Sequence, residues 1–141
     1  MYANTDDFLK RVGEQEAIEL TDREMTGEVN IEVLNTALSD SSSQVDGYLA
    51  GRYRLPLKTI PQNLVRICCD LARYRLCSMS SHLITDEVIE RYKLSLKELE
   101  NISKGVVSLG ITNTDENTNT DNGEFSVQFF NGNNRIFKRD R

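Results

Sequence analysis

The chain has 141 residues, 38% hydrophobic and 28% charged, with a formal net charge of -5. That length suits one domain, and the modest apolar share leaves part of the chain outside any core. An acidic balance argues against a dedicated nucleic-acid binder, which needs surplus Lys and Arg on its contacting face.

The net figure conceals an asymmetry. Residues 1–40 carry ten acidic and three basic side chains, residues 41–110 seven and ten, so the two regions stand at about -7 and +3. Opposite charge on two parts of one subunit guides head-to-tail association into rings, or marks ordinary solvated helix faces. No apolar run approaches the roughly 20 residues that span a bilayer. MYANTDDFLK lacks a basic segment followed by an apolar one, so a soluble protein made in the cytoplasm, with no membrane partner, is expected.

In chain order, Thr5, the acids Asp6 and Asp7, then Phe8, Leu9 and Val12 predict a short capped helix ending near Gly13. A second short helix runs through EQEAIELTD with Ala17, Ile18 and Leu20 inward; Thr21 and Asp22 supply cap or turn chemistry, and Gly27 marks a break. Asn30 caps a long amphipathic helix with Ile31, Leu34, Leu38, Val45, Tyr48 and Leu49 in register and Ser41 on the same stripe. Gly47 and Gly51, one turn apart, predict a close backbone approach, since each costs about 1 kcal/mol against alanine in a free helix.

The helix stops before Pro56, and Pro61 suits the first turn of the next. A connector of eight residues, RLPLKTIP, favours antiparallel neighbours. In QNLVRICCDLARYRL, Leu64, Ile67, Cys68, Leu71 and Ala72 form the buried stripe and Val65, Tyr74 and Leu76 widen it, which predicts a central helix. Thr85 caps a fifth helix with Val88, Ile89, Tyr92, Leu96, Leu99 and Ile102 in register and Gly105 as terminator.

Beyond it, ITNTDENTNTDNGE holds nothing that offsets its ordering entropy and reads as a flexible linker. FSVQFF alternates Phe125, Val127 and Phe129 against polar residues, and NGNN is a turn candidate before RIFKRDR. The domain reading is therefore a helical domain over 1–110, a polar linker over 111–123, and a tail over 124–141. That tail forms a short β-strand or hairpin, or lies extended on its own domain or on a neighbour. The fold class is all-α: an antiparallel bundle of two short N-terminal and three long helices.

Searches for chemistry return little. Cys68, Cys69 and Cys77 share one helix in poor disulfide geometry, so they read as reduced packing residues. A vicinal pair and the single His82 do not make a metal set, and no phosphate loop, nucleophile elbow or H-E-x-x-H occurs. No catalytic, cofactor or metal residues are assigned, and a non-enzymatic role is expected.

The segments MYANTDDFLKRVGEQEAIELTDRE, ALSDSSSQVDGYLAGRYRLPL, IPQNLVRICCDLARYRL, EVIERYKLSLKELENISKGVVSLG and RIFKRDR together resemble the phage Mu gene product thirty-six family. The likeness covers residues 1–110 well and the end weakly; DGYLAGRYRLPL followed by CDLARYRL is its most specific part. The resemblance implies a phage or prophage head-tail connector, a head-completion or adaptor subunit. Such a subunit forms a ring of about a dozen copies between portal and tail-completion proteins at the virion neck. On that reading Arg52, Arg54, Arg73 and Arg75 meet the acidic first helices of the next copy, or pair within the chain with Asp46 or Asp70. Phe125, Val127, Phe129, Arg135 and Phe137 complete the candidate interface. The alternative, a nucleic-acid-binding helical regulator, is opposed by a connector longer than the three or four residues of a helix-turn-helix, and by helices apolar enough to be core.

Overall fold

The computed structural model describes residues 1–79 and 84–111. They form α1 (Thr5–Val12), α2 (Glu14–Thr21), α3 (Ile31–Leu49), α4 (Gln62–Met79) and α5 (Asp86–Ser103), an all-α fold. The predicted linker beyond Ile111, the strand or hairpin of the tail, and His82 lie outside the described residues.

Each helix starts where a polar side chain can satisfy orphan amides. Asn4, rather than Thr5, caps α1: it accepts from Asp7 N at 2.8 Å while Asp7 accepts from Asn4 N at 3.1 Å, a reciprocal capping box. Asn30 and Thr85 cap α3 and α5 as their sequence positions predict. Pro61 stands just outside α4, its carbonyl accepting from Val65 N at 3.3 Å. Gly105, at φ +80, ends α5 in a Schellman pattern: its N–H bonds Ile102 O at 3.1 Å and Val106 N bonds Asn101 O at 2.9 Å.

Helix α4 is the centre, in contact with each of the other four helices. Its Leu64, Ile67, Cys68, Leu71, Ala72 and Leu76 are fully buried. Burial of a large aliphatic side chain is worth about 1.5–3 kcal/mol, so this one helix supplies much of the driving force. Pairs Arg66–Glu98 and Asp70–Ser95 set α4 and α5 antiparallel. Contacts of Cys68 with Ser42 and Leu38 fix α3 beside them.

Two expectations about α3 are corrected. Ile31 is 58% exposed rather than part of the stripe, because it sits in the first turn, beyond the reach of α4. Gly47 and Gly51 meet nothing within 4 Å of where a Cβ would stand, so they mark no close approach inside the subunit. On α5, Ser95 is buried where pattern alone places Tyr92 and Leu96, because its hydroxyl donates to Asp70 Oδ2 at 3.2 Å.

Leu71→Ala is expected to lower unfolding free energy by about 2–5 kcal/mol, whereas Ile31→Ala stays within about 0.5 kcal/mol. Denaturant titration of both variants checks the assignment of core and surface.

Candidate assembly surface

The arginines singled out by sequence divide into two groups. Arg73, on α4, is turned inward: Nε donates to Glu16 Oε1 of α2 at 2.6 Å, with Nη1 at 3.9 Å from Glu87 of α5. Burial opposes its charge, but the hydrogen bond and negative charge of Glu16, then Glu87, outweigh that and raise its pKa. Arg75 donates from Nη2 to Gln44 Oε1 at 2.7 Å and leaves a buried Nε with no hydrogen-bond partner. These two hold α2, α3 and α5 to the central helix. The intrachain partners are neither Asp46 nor Asp70. Asp46 accepts from the Tyr2 hydroxyl, and Asp70 takes Arg66 at 3.1 Å together with Ser95. Arg66 also pairs with Glu98.

Arg52, in the turn after α3, is exposed, as are Arg54 and Lys58 of the connector. Arg52 sits over the Tyr53 ring, 5.9 Å from its centroid, and against the end of α5: a side-chain carbon at Gly105 would stand 1.6 Å from its Nη1. Tyr53 is buried and its hydroxyl accepts from Leu109 N at 3.3 Å. The connector, the end of α3 and the end of α5 are thereby gathered at one end of the bundle. Tyr2 joins them, donating from its backbone N to Ser42 Oγ at 3.1 Å. Burial, then the bond to Asp46, pushes its phenol well above the ordinary range. Exposed Arg52, Arg54, Lys58 and Lys104 make this end basic.

The opposite end, where α3 and α5 begin, carries exposed Glu24, Glu28, Glu32 and Asp86, with exposed Arg23 beside them and Glu87 paired with Arg91 at 2.9 Å. Between α2 and α3 the chain turns around Asp22, whose carboxylate accepts from Thr26 N at 3.0 Å, Thr26 Oγ1 at 3.2 Å and Gly27 N at 2.7 Å. Those backbone bonds to Thr26 and Gly27 hold its pKa below the ordinary 3.8. The turn places Met25 at φ 58, with 94% of its surface exposed. Sequence reading took Asp22 as turn chemistry and missed Met25; the signal was an acid followed by Thr and Gly four and five residues on.

The remaining interior groups are structural. Cys68, Cys69 and Cys77 are buried and outside any disulfide. Burial, then the neighbouring Cys68, pushes the Cys69 thiol up to about 12. Among the described residues no His, Cys, Asp and Glu group has the spacing to hold a metal ion, and no helix is long and apolar enough to cross a membrane. Phe125, Val127, Phe129, Arg135 and Phe137 fall outside the described residues.

These features define the class: an all-α protein of five described helices, tied to a central helix by ion pairs such as Arg73–Glu16 and Arg66–Glu98. Over residues 2–128 the chain matches the family described as Bacteriophage Mu, Gp36. It is similar to the Mu-like prophage FluMu protein gp36 of Haemophilus influenzae, with 38% identity over 127 residues, covering 87% of this chain and 85% of that protein. It is also similar to Gene product J of Escherichia phage Mu, with 33% identity over 85 residues, covering 60% of this chain and 58% of that one. The chain belongs to the phage Mu Gp36 family, as its motifs imply.

The Asp22 turn gives a signed pH dependence. A carboxylate held below its unfolded value stabilises the turn at neutral pH, and that stabilisation is lost as pH falls below 3.8 through the folded value. Amide protection at Thr26 and Gly27 should therefore decline in that acid range, and in Asp22→Asn it should be low and independent of pH.

Proposed function

We propose that this phage-family chain is a non-enzymatic structural subunit of the particle, a head-tail connector that closes into a ring at the neck between portal and tail-completion proteins. Assembly takes place in the cytoplasm of the bacterial host. The observation that carries this reading is the separation of exposed charge along the bundle, acidic where α3 begins and basic at the connector.

A subunit with unlike ends favours heterologous contacts, in which one surface meets a different surface of the next copy, and a fixed rotation at that contact closes a ring. Arg52 and Arg54 are exposed at the connector end and are the bases this reading places in such a contact, whereas Arg73 and Arg75 are half-buried against Glu16 and Gln44. The tail side chains Phe125, Val127, Phe129, Arg135 and Phe137 supply a second contact, on a neighbouring copy or an adjoining ring. Sequence-specific DNA binding and cofactors have no part in this reading.

Exposed charge steers such association, and salt screens it over about 10 Å at 0.1 M. Sedimentation mass of the full chain, alone and mixed with portal protein, is expected to exceed the monomer at low salt and to fall for Arg54→Glu. A chain that stays monomeric alone and ignores both portal and tail proteins overturns the proposal.

A further inference from the structure

Met25 is the most exposed of the large hydrophobic side chains in the described residues, at 94%. Its backbone takes a positive φ of 58, a region that non-glycine residues seldom enter and that carries a conformational cost. The three bonds that Thr26 and Gly27 donate to Asp22 hold this turn, and the Met25 side chain itself touches solvent on nearly every side. Exposed Arg23, Glu24 and Glu28 stand on the same turn.

At the opposite end of the bundle lies a groove of about 420 Å³. Met1, Leu55, Leu57 and Ile60 form its apolar walls, with the Tyr2 and Asp46 pair beside them. Met1 is 64% and Ile60 40% exposed, so the walls are themselves uncovered. The connector that supplies Leu55, Leu57 and Ile60 also carries exposed Arg52, Arg54 and Lys58. An exposed apolar side chain on a turn with Arg23, Glu24 and Glu28 thus stands at one end, and a groove with apolar walls and the Tyr2–Asp46 pair opens beside bases at the other.

We propose that the groove receives Met25 of a second copy of this chain, with Glu24 and Glu28 of that copy over the basic connector. The contact is heterologous, so each copy offers one tip and one groove. Charge complementarity orients the encounter, and burial of the thioether side chain holds it. This rests on the reading of the chain as a self-assembling subunit and names the contact that would join the copies.

The test mixes two single-cysteine additions in the full chain, Met25→Cys in one preparation and Ile60→Cys in another, under mild oxidation. The native thiols are buried and do not compete. Mixed disulfide dimers are expected at least about tenfold faster than with Leu94→Cys on α5, a position more exposed than Ile60 (64% against 40%), in place of Ile60→Cys. Met25→Gly supplies the second arm. Glycine accepts the positive φ, so that variant should be no less stable to denaturant, yet associate at least about tenfold more weakly.

A wild-type chain that assembles, but whose Met25→Cys variant links to Ile60→Cys no faster than to Leu94→Cys, overturns this contact and leaves the ring standing. Unchanged association of Met25→Gly does the same. A wild-type chain that stays monomeric alone and with portal removes both.

Discussion

The burial of most of α4 is the constraint from which the rest of the structure follows. A helix with Leu64, Ile67, Cys68, Leu71, Ala72 and Leu76 withdrawn from water needs neighbours all round it, and the other four helices are those neighbours. Polar groups on such a helix must find partners at the seams, because burying one without a hydrogen bond costs about 1–3 kcal/mol. Arg73 reaches Glu16, Arg66 reaches Asp70 and Glu98, and Arg75 reaches Gln44. These ion pairs, with the Arg75–Gln44 hydrogen bond, thereby tie α2, α3 and α5 to one axis.

That use of charge has a consequence at the surface. Bases in the seams hold the helices together, and Arg52, Arg54 and Lys58 are exposed at one end of the bundle. The acids of the first 40 residues are split in the same way: Glu16 is drawn inward while Glu24, Glu28 and Glu32 remain at the other end. A central helix that takes its counter-charges from several neighbours leaves a subunit whose ends differ in sign. Unlike ends are what the heterologous contact proposed for this chain would use.

Much of the fold was legible in the sequence, for physical reasons. Helical periodicity gave α3, α4 and α5; Asn30, Thr85 and Gly105 marked boundaries because capping chemistry is local. The capping box at Asn4 was as local, but Thr5 is an equally good cap type and only geometry separates them. Long-range facts were out of reach. Periodicity places Ile31 on the stripe without showing that α4 ends short of it, and Gly47 and Gly51 suggest a close approach without showing which neighbour is there. The same holds for the arginines, whose sequence neighbours do not reveal that Arg73 meets a carboxylate 57 positions away. Met25 was illegible because its significance is an exposure and a positive φ, neither of which is a pattern.

The claim that the two ends of the bundle are made for each other is tested most directly by charge exchange. One full-length chain would carry Arg54→Glu and Lys58→Glu, another Glu24→Lys and Glu28→Lys, and sedimentation would report mass for each alone and for the mixture. The account predicts that each alone loses association and that mixing restores an assembly containing both. If the mixture associates no more than either chain alone while the wild type assembles, the ends are not complementary and the account is wrong.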